Sequence, residues 1–191
     1  MANRSYLYSI AALPRSDDNR RKIVGLSEWN YDIPLVYKVL LSGNPQLSKS
    51  VFWQTDDDIA LVGDFDVGLD RLKDFLPRIP DSKTKQSLGA AVTFLEIPKN
   101  HQKLFLLENC EIYGMGDSHP AQQNAELLKS IAQIDLVIEK FLEELSDSSS
   151  QSSLTNDKGR SNRQSNRRQE LLDGLGLENW SNNLYFNFGG A

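Results

Sequence analysis

The chain has 191 residues, 39% of them hydrophobic and 9% aromatic, and a formal charge of −5 at neutral pH. That length fits one domain and leaves no room for a second full one. The acidic balance is carried by residues 1–145, since 146–191 is neutral; it disfavours a phosphate-backbone ligand and suits a basic protein partner.

Cys110 is the single cysteine, which excludes an internal disulfide and a multi-cysteine zinc site. It reads as a small core filler rather than a reactive thiol. The first residues alternate in a strand pattern instead of forming the apolar core of a signal peptide, and no run nears the roughly 18 apolar residues that span a bilayer. A cytoplasmic, reducing location and no cofactor are expected.

In chain order, residues 5–13 predict a strand closed by Pro14, and the charged stretch 15–22 a loop. Asp32 is placed to cap a helix with Pro34 in its first turn, and Leu35, Val36, Val39 and Leu40 form its apolar stripe. Residues 50–54 and 59–65 predict two short strands. Leu69, Leu72, Phe75, Leu76 and Ile79 repeat at helical spacing, with Pro77 ending that helix. A second helix starts near Ser82, carries Leu88, Ala91, Val92 and Leu95, and stops at Pro98. Residues 103–113 are the longest strand candidate, apolar on both faces near its start, as a covered central strand would be.

The strongest helix signal runs over 120–145. Asp117 or Ser118 is placed to cap it, and Leu127, Ile131, Ile134, Ile138, Phe141 and Leu145 line one face, widened by Leu128, Ala132 and Val137. So broad a stripe must be covered on more than one side, either by the core or by a second copy of the chain. Ser, Asn, Gln and Asp dominate 146–166, which predicts a flexible polar loop too poor in apolar groups to offset its ordering entropy. Order signals return in 167–191: a short helix broken by glycines over 170–177, Trp180, and a strand-like alternation over 183–188. This last piece is expected to dock on the 1–145 body. The fold class is α+β: a single domain whose small mixed or antiparallel sheet is covered by several helices, one of them long and in the C-terminal half.

Residues 1–9 (MANRSYLYS), 29–34 (WNYDIP) and 41–45 (LSGNP) resemble those of a family of uncharacterised bacterial proteins that open the same way and carry the same box, with weaker echoes at Val62-Gly63-Asp64. The resemblance covers about the first third of the chain. It implies a bacterial origin and a shared fold, and it carries no catalytic residues across.

The candidate chemistry is sparse. Asp56-Asp57-Asp58 and Asp64-x-Asp66 flank one short strand, and such oxygen-rich loops suit Mg²⁺ or Ca²⁺, but the spacing of an EF-hand is missing. Residues 114–120 form a glycine loop entering a helix without the residues of a P-loop, so an N-cap turn is the plainer reading. His101 and His119 flank the strand 103–113 at opposite ends, too far apart to share a metal. The aromatic set Trp29, Tyr31, Tyr37 and Trp53 suits either a recognition surface or a core covering a sheet.

Two functions follow. The first is a non-enzymatic module that binds another protein, basic in charge, of which an immunity-type inhibitor is one form. The alternative is a small metal-assisted hydrolase or ligand-binding protein built on Asp64, Asp66, Asp117 and His119, which requires those four residues to converge. A homodimer sealed by the long helix is the third arrangement.

Overall fold

The computed structural model describes residues 3–14, 22–150 and 158–186, with the side chains of 148–150 and 158–165 left aside. Five strands form one sheet: β1 (Arg4–Ile10), β2 (Ile23–Asn30), β3 (Gln46–Ser48), β4 (Ala60–Asp64) and β5 (Leu104–Glu108), in the order β2-β1-β5-β4-β3. All four pairings are antiparallel. The fold is α+β, as the sequence predicts.

β5 is central because its apolar residues serve both faces. Phe105 and Leu107 enter one core, Leu104 and Leu106 the other, and all of LFLLE is buried. The predicted strand over 103–113 is cut short. After Glu108 the chain turns at Asn109 into the single helical turn α4 (Cys110–Tyr113), whose Tyr113 hydroxyl donates to Asn124 at 2.8 Å. Residues 50–54 are not a strand either; β3 lies just before them. Between Leu7 and Tyr8 the β1–β2 register slips by one, a bulge that lets Leu26 join the helix-side core beside Leu7.

One face of the sheet is packed under helices: α1 (Leu35–Leu41), α2 (Phe65–Phe75) with a 3₁₀ turn at Leu76–Arg78, α3 (Ser82–Leu95), α5 (Pro120–Ala132) and α6 (Ile134–Ser150). The predicted 120–145 helix is two helices, because the backbone at Gln133 leaves helical geometry (φ −108°, ψ 28°). The break redirects α6 onto α2. Phe141 meets Phe75 at 6.2 Å between ring centres, and Asp135 and Glu139 pair with Arg71 and Arg78. α7 (Lys158–Asp173) packs on α6, so most of the wide apolar stripe is covered within one chain, while Ala132 is exposed and Leu136, outside the stripe, is left 67% exposed.

The polar segment is therefore helical at both ends, α6 reaching Ser150 and α7 beginning at Lys158; 151–157, like 15–21 of the predicted loop over 15–22, lies outside the described residues. After α7 the chain docks where the WNYDIP box turns into α1. The amides of Leu35 and Val36, which open that helix, donate to Gly174 and Leu175 carbonyls at 3.3 and 3.1 Å. Asp32 does not cap α1; its carboxylate accepts from Ile33 N, and Pro34 is the N-cap residue. Gly176 has φ +81° with Pro34 directly against it, so it serves as both turn and close contact. Residues 180–186 then cross the β2 edge, joined to it by one bridge, Ser27 to Trp180, and by the Ser181 amide and the Asn182 side chain, rather than as an added strand.

Candidate functional site

Among the described residues, no helix covers the second face of the sheet. Tyr6, Tyr8, Ile10, Ala60, Val62, Leu104 and Leu106 form its apolar floor. Two irregular segments lie over it, the 49–58 loop after β3 and the 181–186 strap, and each presses an aromatic ring onto the tyrosines. Phe52 sits 5.9 Å from Tyr6, 5.5 Å from Tyr8 and 5.2 Å from Phe186, whose own ring is 5.4 Å from Tyr6. The strap is also held by polar bonds: Tyr8 Oη donates to the Phe186 carbonyl at 2.9 Å, and Tyr185 N to Glu28 at 2.8 Å. Arg4 pairs with Glu28 and lies 4.9 Å over the Tyr185 ring, a cation–π contact. Leu184 packs so closely on Gly25 that any side chain there would meet it at 2.8 Å.

Outward from this cluster, Trp53 is 49% exposed, Tyr185 53% and Phe186 37%. Acidic groups stand around it: Glu111, which bonds Arg4 N and Tyr6 Oη, Glu28, and the Asp56–Asp58 run, where Lys49 binds Asp58 at 2.9 Å. Burial and the nearby Glu111 charge push the Tyr6 phenol up to about 12. Under the loop lies Glu108, 1% exposed, and burial raises its carboxyl to about 8.

Beyond the loop the same face continues as an open groove of about 500 Å³, floored by Val62 and Leu104, walled by Leu13 and Gln46, and ended by Asn44, Asp64 and Lys103. Here the LSGNP turn meets β4: Gly63 has no room for a side chain, since Leu41 and Gly43 carbonyls stand within 3.0 Å of where a Cβ would sit. Asn44 is held at φ +49° and donates to the Asp64 carboxylate. Alanine at 44 is expected to lower stability by about 1–2 kcal/mol, because it is strained in the left-handed region and lacks that bond, while glycine loses less; urea unfolding of both variants measures the difference.

The four residues of the hydrolase reading stand apart. Asp66 pairs with His101 at 2.7 Å, and that ring stacks on Phe65 at 4.4 Å, at the Asp64 end of β4. His119 instead faces Asp57 at 3.7 Å, before β4 begins, and α5 is tied there by Asn124, which donates to Asp58 and Ala60 carbonyls. The five residues of β4 separate the two ends by roughly 13 Å, at about 3.3 Å per step. No single site joins them. Among the described residues, no three His, Cys, Asp or Glu side chains are grouped to hold a metal. Cys110 is partly buried, and burial pushes its thiol up.

The predicted aromatic set also divides. Tyr37 is fully buried and Trp29 packs against the helix-side core, whereas Tyr31 is 61% exposed at the end of β2, in the left-handed region at φ 62°, and Trp53 belongs to the loop on the other face. The sequence reading missed Phe52, Tyr185, Phe186 and Glu108. For Glu108 a signal existed: strand alternation from Leu104 puts it on the same face as Leu106, so it had to be buried, neutralised or covered.

The family model described as Domain of unknown function (DUF7822) matches residues 11–148, which span β2 to α6 and exclude β1, α7 and the strap. No curated protein and no solved structure matches the chain significantly. No helix among the described residues is long and apolar enough to cross a membrane.

Proposed function

The chain belongs to this family of domains of unknown function, and from that premise we propose that it is a non-enzymatic module recognising another protein through the helix-free face of its sheet. One observation carries the reading. Two segments more than 120 residues apart in sequence bring Trp53, Tyr185 and Phe186 together around Phe52, part-exposed and ringed by Glu28, Glu111 and the Asp56–Asp58 run. Large rigid aromatics in a polar surround are what protein interfaces use as anchors. The acidic ring and the net charge of −5 select a basic partner, and an inhibitor that masks a basic toxin is a form of function this charge suits.

The test uses three baits in a native extract: the wild type, Trp53→Ala/Tyr185→Ala, and Leu136→Ser on the opposite, helical side. A partner held by the wild type and by Leu136→Ser is expected to bind the double variant at least ~30-fold more weakly, as loss of about 2 kcal/mol at an anchor implies. Its retention should weaken as salt rises. Equal retention by all three baits, or none at low salt, overturns the proposal.

A further inference from the structure

Among the described residues, Glu108 is the one buried acid on the helix-free face. It ends the central strand, flanked across the sheet by Tyr6 on β1 and Ala60 on β4. Its two carboxyl oxygens are bonded by the loop above: Ser50 Oγ at 2.8 Å and Val51 N at 2.6 Å. Ser50 Oγ also accepts from Phe52 N and Trp53 N, both at 3.0 Å, so the turn 50–53 is organised around this hydroxyl and the acid beneath it.

Among the described residues, the groups facing Glu108 offer no positive charge. Tyr6 and Tyr8 approach from β1, Cys110 and Glu111 follow on α4, and the loop's nearest cation, Lys49, is taken by Asp58 and the Asp56 carbonyl. No ion pair among the described residues reaches it. Both loop bonds are donated to the carboxyl oxygens and favour the charged form, but with no cation beside the group burial outweighs them and disfavours ionisation. Tyr6 and Ala60 flank the carboxyl across the sheet, and the 49–58 loop bonds both of its oxygens.

We propose that Glu108 is a proton-operated clasp: its neutral acid holds the 49–58 loop on the sheet, and its ionisation favours a state in which the loop lifts and water reaches the carboxylate. The clasp governs a piece of the surface described above, since Trp53 and Phe52 ride on the same turn, but it stands on the geometry of Glu108 alone and holds whether or not a partner binds there. Linkage sets its direction. Glu108 ionises at an ordinary carboxylate pKa in the lifted state and well above it in the clasped state, so the lifted fraction grows with pH between those two values and then levels off.

Hydrogen exchange of the Val51, Phe52 and Trp53 amides, corrected for intrinsic base catalysis, reads the lifted fraction. Protection of these amides in the wild type is expected to fall by up to tenfold per pH unit between about 5 and 8, and to flatten above. Glu108→Gln should show no such slope. His119 faces Asp57 on the same loop, so His119→Gln is the companion variant, and it should keep the wild-type slope. A flat profile in the wild type, or the same slope in Glu108→Gln, overturns the clasp. Should the glutamine variant not fold, the side-chain carboxyl ¹³C shift of Glu108 in the wild type decides it: a midpoint near 8 supports the clasp, and one below 6 refutes it.

Discussion

Alanine at position 68 is expected to destabilise the protein by about 2 kcal/mol or more. Gly68 lies in α2 where that helix touches the end of α1, and a Cβ there would stand 1.9 Å from the Leu40 carbonyl oxygen and 2.9 Å from its carbon. These are backbone atoms, so no rotamer change relieves the clash; the two helices must move apart. Both carry the helix-side core, through Val36, Leu40, Leu69 and Leu72. Overpacking a tight core costs about 1–3 kcal/mol or more, which exceeds the ~1 kcal/mol that alanine gains over glycine in helix propensity. Gly89 in α3 supplies the opposite case, because nothing lies within 4 Å of its Cβ position. There the propensity term acts unopposed, and Gly89→Ala is expected to add about 0.5–1 kcal/mol. Urea unfolding of the pair checks both signs. A Gly68→Ala protein as stable as the wild type would mean that α1 and α2 do not approach as described.

Global stability should fall as the pH rises from about 4.5 to about 8, and Glu108→Gln should abolish most of that fall. The carboxyl of Glu108 is raised by burial to about 8 in the folded protein, whereas the unfolded chain returns it to 4.5. Between those values the folded state binds the extra proton. Its contribution is therefore complete below the unfolded value and is lost progressively as pH climbs through the folded one. Each unit of pH in that window is worth up to about 1.4 kcal/mol, and the whole interval a few kcal/mol. Glutamine stays neutral throughout and retains an oxygen to accept from Val51 N, so the two proteins should diverge steadily with pH, the variant being the more stable at pH 8. Chemical denaturation at pH 5, 6.5 and 8 follows the divergence. Parallel curves for the two proteins would contradict a raised carboxyl at this position.

Much of the architecture is legible without coordinates where a short stretch carries its own period. Leu69, Leu72 and Phe75 mark α2, Leu88, Ala91, Val92 and Leu95 mark α3, and the doubly apolar run at 104–107 marks the central strand. The misreadings share a cause. Residues 50–54 look like a strand because Val51, Phe52 and Trp53 have strand-forming side chains, yet Ser50 turns the chain back on its own amides to reach Glu108. The alternation after Asn183 likewise suggests a strand; β2 instead takes up the segment through one bridge, the Ser181 amide and the Asn182 side chain.

From the amino-acid order alone came an acidic single domain, its α+β class, most of its helices and the central strand, since those depend on spacings of two, three and four residues that neighbouring atoms enforce. Tertiary packing alone decided which face of the sheet the helices cover, that Tyr37 is buried while Trp53 is exposed, and that Asp66 and His119 lie at opposite ends of β4. It also placed Glu108 beneath Ser50, 58 residues earlier in the chain. Such pairings join residues far apart in the chain, and what settles them is the burial of both faces of the sheet at once, to which no local pattern points.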